Sequence, residues 1–399
     1  MRILYLNYLY DIKGCSLGSA IKPLELFRAM EELGHDVKIC WMKKQPDSNG
    51  FLPLAQKPFL KRILSRYLSD AKQLLMNIPY FIRVHKIAKV YKPDIIVSRI
   101  ERCLFSDLLL AKLKNIPYVF EADCPAIYEA LQFQQEYKRY KHIGRLIEKS
   151  HTRLADAVVV VSNNLKKYFN VYDGRPGRIE VVTNGADPDR FSLAISGNEI
   201  VAHYGLEKKV VIGFIGSFSA WHGVKNLTSL IQEITAEFSD VTFLLVGSGG
   251  DKMPEMRAFV EKNNLQKNVV LTGHVEYDNM PNYIAAMDVV LAPYPDLPFF
   301  YYSPVKMYEY MALGKPIVTT RIGQIAEVLS DGNNAALCEP GDTDGMIERV
   351  RALVRNSKLR KSLGLAARDT VVQNYTWIDK ARDWERICFN TMKKSLKSE

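Results

Sequence analysis

The sequence predicts an α/β protein made of two doubly wound, Rossmann-like domains. Short apolar runs alternate with longer amphipathic stretches along all 399 residues. The runs are continuously apolar and rich in Val and Ile, as parallel strands covered by helices on both faces require. A second block of the same alternation starts near Val210, beyond Ser196–Lys209, a polar stretch with no core strand.

Strands are expected at Arg2–Leu6, Val37–Trp41, Ile95–Ser98, Tyr118–Phe120 and Ala157–Val161 in the first half. Lys22–Leu33 reads as a helix with Leu26, Met30 and Leu33 on one stripe, Pro23 in its first turn and Gly34 at its stop. In the second half the strands fall at Val210–Ile215, Val241–Val246, Val269–Leu271, Val289–Ala292, Ile317–Thr319 and Ala335–Cys338. Trp377, Ala381, Trp384 and Ile387 put a helical stripe on the last stretch. The expected domains are therefore 1–200 and 201–376, followed by a terminal helix, 377–399. Two such domains leave a cleft at the C-terminal ends of their strands, where ligands are expected.

Composition excludes several classes. With 47% hydrophobic and 25% charged residues the chain forms cores and is neither disordered nor fibrous. No run approaches the roughly 20 apolar residues of a bilayer span. The opening MRILYLNYLYDIKG lacks a charged leader and a small-residue cleavage site, so it reads as a strand. The six cysteines form no CxxC pair, which argues against a disulfide framework or zinc ribbon and for a reducing cytoplasm. A formal charge of +10 favours an anionic partner: nucleic acid, a phosphorylated substrate or a membrane surface.

The strongest chemical segment is Tyr301–Pro316, YYSPVKMYEYMALGKP. Ser303 suits a helix cap and Pro304 its first position, which puts Val305 and Lys306 in the first turn. A helix N-terminus offers free N–H groups and partial positive charge, and Lys306 adds a full charge, so a diphosphate fits there. Glu309 lies three residues on, nearly on the same face, where a carboxylate accepts ribose hydroxyls. A capped surface helix with a Lys–Glu pair is the structural alternative. GSFSAWHG (Gly216–Gly223) follows one strand and precedes a helix, so its amides can face a phosphate, with His222 beside them. Trp221 reads as packing. GSGG (Gly247–Gly250) lacks the GxGxxG spacing of a dinucleotide site.

From Ala157 to Asp344 the order and spacing of ADAVVVVSNNL, VVTNGADPDRF, GFIGSFSAWHGVKNL, FLLVGSGG, VVLTGHVEYDNMPNYIAAMDVVLAPY, SPVKMYEYMALGKPIV and IGQIAEVLSDGNNAAL resemble the retaining glycosyltransferases of family 4, which have the GT-B fold. The resemblance implies a nucleotide-diphosphate sugar as co-substrate, a hydroxyl acceptor, retention of configuration and a role in cell-surface glycan synthesis. It places the donor at Gly216, Ser217, Gly247, Gly249, His274, Val275, Ser303, Pro304 and Val305, with Lys306, Glu309 and His222 as the catalytic set. Many members carry a glutamate where this chain has Tyr301, and SPxK members such as this one commonly lack it. They often carry an arginine and a lysine where this chain has Ser217 and His222. The diphosphate charge is then expected to be met by His222, Lys306, Lys225 and helix termini.

The acceptor side falls in the first domain. Lys13, Gly14 and Gly18 are expected on the loop after strand one, and Glu121 and Asp123 follow the fourth strand. The family's usual histidine is absent, so no general base is named. No metal and no other cofactor is expected: the DxD triplets Asp187–Asp189 and Asp342–Asp344 sit in turns where aspartate bonds locally. Between Lys57 and Lys92 nine Lys/Arg residues face only Asp70, and Tyr137–Arg153 carries six against Glu148. Interleaved with apolar residues, they suit an anionic membrane surface, and with no recognition motif for nucleic acid the protein is expected in the cytoplasm, peripheral on the inner membrane face. A non-catalytic sugar-nucleotide or polysaccharide-binding scaffold is the alternative function, and a Rossmann oxidoreductase the third.

Overall fold

The computed structural model describes residues 1–8, 17–42, 59–99, 102–133, 141–173 and 175–396. They divide into two compact units, Met1–Thr183 with Ile378–Glu399, and Asn184–Trp377.

The first unit contains β1 (Arg2–Asn7), α1 (Leu17–Glu32), β2 (Asp36–Trp41), α2 (Phe59–Tyr91), β3 (Ile95–Arg99) and α3 (Ser106–Leu113). It continues with β4 (Tyr118–Ala122), α4 (Ala126–Phe133), α5 (Lys141–Leu154), β5 (Ala157–Val160), α6 (Asn163–Asn170) and β6 (Ile179–Val181). Its strands are parallel, in the order β2-β1-β3-β4-β5-β6. Every residue of β3, β4 and β5 is buried, which is why these runs show no polar alternation.

The second unit opens with α7 (Asn198–Tyr204), β7 (Val210–Ile215), α8 (Val224–Glu237), β8 (Val241–Val246), α9 (Met253–Lys262) and β9 (Val269–Gly273). Then come α10 (Met280–Ala285), β10 (Val289–Ala292), α11 (Val305–Ala312), β11 (Ile317–Thr320), α12 (Ile325–Val328), β12 (Ala336–Cys338), α13 (Thr343–Arg355) and α14 (Ser357–Asn374). The parallel order is β12-β11-β10-β7-β8-β9. The chain therefore winds one way through β7, β8 and β9 and the other way through β10, β11 and β12. Its switch point lies between β7 and β10, where a doubly wound sheet opens a crevice at its strand ends.

All eleven expected strands are present, and β6 is added. That strand is three residues long with Glu180 at its centre, too short and too polar to stand out as an apolar run. The boundary between the units falls between Thr183 and Asn184, ahead of the expected Ser196–Lys209. The reason is packing: Phe191 is fully buried in the second unit's core, and a Cβ on Gly197 would sit 2.3 Å from the Ala286 nitrogen.

Helix α1 also starts earlier than expected. Gly18 belongs to the helix instead of the loop, and Pro23 lies in its interior. A proline there removes a backbone hydrogen bond at a cost of about 3 kcal/mol. Burial of Ala20 and Ile21 on the extended turn opposes that loss. Gly34 does close the helix, with φ +86° and its amide on the Glu31 carbonyl. Lys13 and Gly14 lie outside the described residues.

The final helix, α15 (Trp377–Leu396), belongs from Ile378 onward to the first unit. Trp384 is buried with its ring 6.4 Å from that of Phe27 on α1, and Glu385 receives His35 Nε2 at 2.9 Å. Replacing Trp384 with Ala should destabilise the first unit by about 3–5 kcal/mol, read from the urea midpoint. Val171→Ala, at a position 83% exposed, should change it by less than about 0.5 kcal/mol.

Candidate active site

At the switch point of the second sheet, the loops after β7, β8 and β10 meet backbone to backbone. A Cβ on Gly223 would lie 1.7 Å from the Pro293 carbonyl oxygen, and one on Gly247 2.2 Å from that of Gly216. Gly216 itself has φ +145°, and a Cβ there would lie 2.9 Å from Lys306 Nζ. Glycine at these positions removes the side chains that would otherwise separate the loops from Lys306.

Lys306 comes from α11, an eight-residue helix whose start differs from expectation. Pro304 is the capping position, not the first helical residue, and no side chain caps the helix. Ser303 Oγ instead accepts the Asn184 amide at 2.9 Å, and the Ser303 carbonyl accepts Asn184 Nδ2 at 2.6 Å. Asn184 thus fixes the approach to α11 and leaves the helix's leading amides without a side-chain acceptor. Asn184 and Ser303 lie 119 residues apart, so no local pattern in the sequence pairs them.

The Lys306 ammonium is closed off from solvent and has no hydrogen-bond partner among the described residues, although the residue as a whole is half-buried. It lies 4.6 Å from the centre of the Phe214 ring and 5.6 Å from that of Tyr294. Burial pushes its pKa down to about 7, against the opposing pull of Glu309. Glu309 is itself buried one turn along the same helix.

His222 ends a short 3₁₀ turn, Ala220–His222. Its Nδ1 lies 2.8 Å from the Ser217 carbonyl, which can only accept, so Nδ1 carries the hydrogen and Nε2 the lone pair. Burial first, and Lys306 second, push its pKa down to about 3. The expectation that His222 supplies positive charge is corrected: it is a neutral imidazole here, and its Nε2 is an acceptor. Ser217 Oγ completes the loop, 3.1 Å from Ser219 Oγ. Lys225 is exposed on the first turn of α8.

The remaining donor-side candidates line the β8 and β9 ends. The Gly249 carbonyl accepts the Phe218 amide at 3.0 Å, and the Gly247 amide donates to Gly273 at 3.0 Å. His274 is exposed with Nε2 3.4 Å from Glu276 Oε1, whereas the Val275 side chain is in the core and only its backbone is available.

In the first unit, Glu121 and Asp123 do come together at the end of β4, with partners the sequence did not reveal. Lys22 Nζ lies 2.7 Å from Glu121 Oε1 and also pairs with Asp123, Arg99 reaches Asp123 Oδ2 at 3.0 Å, and the Tyr5 hydroxyl donates to Glu121 Oε2 at 2.5 Å. Burial would raise the Asp123 carboxyl, but Arg99 and Lys22 hold it below its ordinary value. Both carboxylates are thus committed to ion pairs. Beside them is a cavity of about 200 Å³, bounded by Cys124, Ile127, Ile147 and Glu148. Glu148 accepts the Tyr168 hydroxyl at 2.9 Å, and burial raises its carboxyl to about 7.

Both DxD triplets serve local structure. Asp187 Oδ1 accepts the amides of Asp189 and Arg190, and Asp342 caps α13 through the Gly345 amide at 2.8 Å. Among the described residues no group of three or more His, Cys, Asp or Glu side chains is arranged to hold a metal ion.

Lys306 makes the stability of the fold depend on pH. The unfolded chain keeps this proton up to about 10.5 and the folded one only to about 7, so stability should rise between those values. The Lys306-dependent slope should approach at most about 1.4 kcal/mol per pH unit. Urea midpoints from pH 6 to 9 measure it, and the difference from Lys306→Met isolates it from other groups.

Residues 23–190 match the family described as Glycosyltransferase Family 4, and residues 209–356 that described as Glycosyl transferases group 1. The chain is similar to an uncharacterised glycosyltransferase of Methanocaldococcus jannaschii, 27% identical over 250 residues, covering 63% of this chain and 62% of that protein. It is also similar to the N-acetyl-alpha-D-glucosaminyl L-malate synthase of Bacillus anthracis, 25% identical over 240 residues, 60% of this chain and 61% of the relative. These alignments span about three fifths of the relatives' own length. Among solved structures, Anabaena HepE in complex with UDP-glucose matches with a TM-score of 0.68 at 18% identity, covering 100% of both chains. Two Rossmann-like units with parallel six-stranded sheets make the fold GT-B, and the chain belongs to the glycosyltransferases of the group 1 and family 4 type.

Proposed function

We propose that the second unit binds a nucleotide-diphosphate sugar and that the protein transfers the sugar to an acceptor hydroxyl with retention of configuration, without a metal. One observation carries the reading: the buried Lys306 ammonium, lacking a hydrogen-bond partner among the described residues, at the uncapped start of α11 and at the sheet's switch point. Burying an ammonium unpaired is costly, and an arriving diphosphate supplies the missing counter-charge. Anabaena HepE, with the same fold, carries UDP-glucose in its crystal.

In the reaction the bond from the anomeric carbon to the diphosphate oxygen breaks and a bond to the acceptor oxygen forms. The acceptor's proton passes to the departing phosphate, so attack proceeds from the leaving-group face. Lys306 and the leading α11 amides stabilise the charge that grows on the diphosphate. Neutral His222, with its Nε2 lone pair, accepts a hydrogen bond from a donor hydroxyl. Glu309 is assigned to the ribose hydroxyls.

The acceptor is assigned to the first unit, and a peripheral role at an anionic membrane in cell-surface glycan synthesis is part of the same proposal. On α2, Leu75, Ile78 and Ile82 are 68%, 65% and 50% exposed and share one face at helical spacing. On α5, Leu146 is 62% exposed among the basic residues of that helix. Such a surface suits anionic headgroups. Residues 57, 58 and 137–140 of the two basic stretches lie outside the described residues.

Titration calorimetry with UDP and GDP tests the donor site. Lys306→Ala should weaken the bound nucleotide at least about tenfold. Because the ammonium is the binding form, affinity should fall as pH rises from 7 to 9, by at most about tenfold per unit, and Lys306→Arg should remove that dependence. Nucleotide-sugar binding without turnover across an acceptor panel would favour the scaffold instead. Co-sedimentation with vesicles containing phosphatidylglycerol, and not with phosphatidylcholine alone, should be lost when Leu75, Ile78 and Ile82 are all changed to Ser.

A further inference from the structure

Helix α11 carries Lys306 and Glu309, and both of its ends are held from one short segment. At its start, Asn184 donates to the Ser303 hydroxyl and carbonyl. At its stop, the carbonyls of Glu309, Tyr310 and Met311 accept the amides of Leu313, Lys315 and Gly314 as the chain turns away through Gly314 at φ +61°. The Ala312 carbonyl, the last of the helix, is taken by a side chain of α14 instead: Arg368 Nη1 donates to it.

The same guanidinium returns to the segment that begins with Asn184. Arg368 Nη1 also donates to the Phe191 carbonyl at 3.1 Å, and Nη2 to that of Pro188 at 3.4 Å. Residues 184–191 are in turn a fixed frame. The Ala186 amide donates to the Tyr375 carbonyl and the Trp377 amide to the Ala186 carbonyl, each at 3.0 Å. A Cβ on Gly185 would lie 2.6 Å from the Tyr375 carbonyl oxygen, and Phe191 is in the core. Helix α14 meets the stop of α11 with no space between them, since a Cβ on Gly364 would lie 1.9 Å from the Gly314 carbonyl oxygen.

Burial sets the sideways position of α11: Met307, Tyr308, Tyr310 and Met311 are in the core, and the Tyr310 hydroxyl accepts the Ile215 amide at 2.9 Å. Apolar contacts are non-directional and resist sliding along the helix axis poorly, whereas hydrogen bonds at the two ends fix distance and direction. The guanidinium also puts a positive charge at the negative end of the helix dipole, opposite the end proposed for the diphosphate. Lys306 Nζ is confined by the Phe214 ring and the Gly216 backbone, so a shift of α11 moves the ammonium out of its seat.

We propose that Arg368 is a positioning residue of the donor site: by tying the Ala312 carbonyl to those of Pro188 and Phe191, it sets where α11 presents Lys306 and its leading amides. This rests on the donor site proposed above. Arg368→Met removes the guanidinium, and Arg368→Lys keeps a cation. Leu363→Ala, on the same helix but in the other core of this unit, is the control that costs stability alone. Calorimetry with UDP and GDP from pH 7 to 9, below each variant's melting temperature, reads the effect. For whichever nucleotide binds the unaltered protein, Arg368→Met should weaken binding about tenfold and Arg368→Lys about threefold. The fall in affinity with pH should flatten in Arg368→Met, because an ammonium released from its buried seat keeps its proton across that range. Loss of stability alone does not move that profile. Leu363→Ala should bind within about twofold of the unaltered protein. Unchanged affinity and pH profile in Arg368→Met overturn the proposal, as does an equal loss in Leu363→Ala. If Arg368→Met does not fold, Arg368→Lys decides: a weakened nucleotide upholds the proposal and an unchanged one overturns it. Failure of both nucleotides to bind the unaltered protein overturns the donor site itself, a distinguishable result.

Discussion

The second unit is organised around a buried ammonium. Lys306 is surrounded by Phe214, Tyr294, the neutral His222 and the bare backbone of Gly216, and the pull of Glu309 one turn along only partly offsets its burial. An apolar residue of similar size would be the more stable choice for such a position, because desolvating a charge without a partner opposes folding. The surrounding structure is nevertheless built to hold it. The loops after β7 and β8 carry glycine where they close on each other and on the Pro293 carbonyl of the loop after β10, and Asn184 holds Ser303 just ahead of the helix. Positive charge and free amides are thereby fixed in advance, which is what makes electrostatic stabilisation of a leaving group effective.

The first unit treats its buried charges in the opposite way. Lys22, Arg99, Glu121, Asp123 and Tyr5 satisfy one another where β1, β3 and β4 end. Two cations meet two carboxylates, so the cluster holds strand ends and helix α1 together and no charge is left seeking a ligand. That distinction explains why Glu121 and Asp123, although together at the end of β4, are committed to ion pairs, and why Arg99 and Lys22 hold the Asp123 carboxyl below its ordinary value. The neighbouring cavity is also lined by Glu148, whose carboxyl is raised by burial.

Topology connects these details to chemistry. In the second sheet the chain reverses direction between β7 and β10, and the loops that follow those two strands are the ones carrying Gly216–His222 and the aromatic run into α11. A crevice at that point is a consequence of winding order, independent of side chains. What the side chains add is its character: cationic at Lys306, aromatic from Tyr294 to Tyr302, and backbone only at Gly247 and Val275.

Much of this was legible in the sequence because it depends on local chemistry. Continuous apolar runs marked every strand but β6, and the Pro-x-Lys segment marked the helix start, since burial on both faces and helix-terminal geometry leave one-dimensional traces. The aspartate triplets likewise declared themselves as turns. Other features depend on partners far away in the chain, and no local pattern encodes them. Lys22 finds Glu121 and Asp123, the Ser303 hydroxyl accepts the Asn184 amide and none from its own helix, and Phe191 draws the unit boundary back to Thr183. The protonation of His222 and Lys306 belongs to this second class: residue types propose a charge, but only burial and neighbours decide whether it is carried.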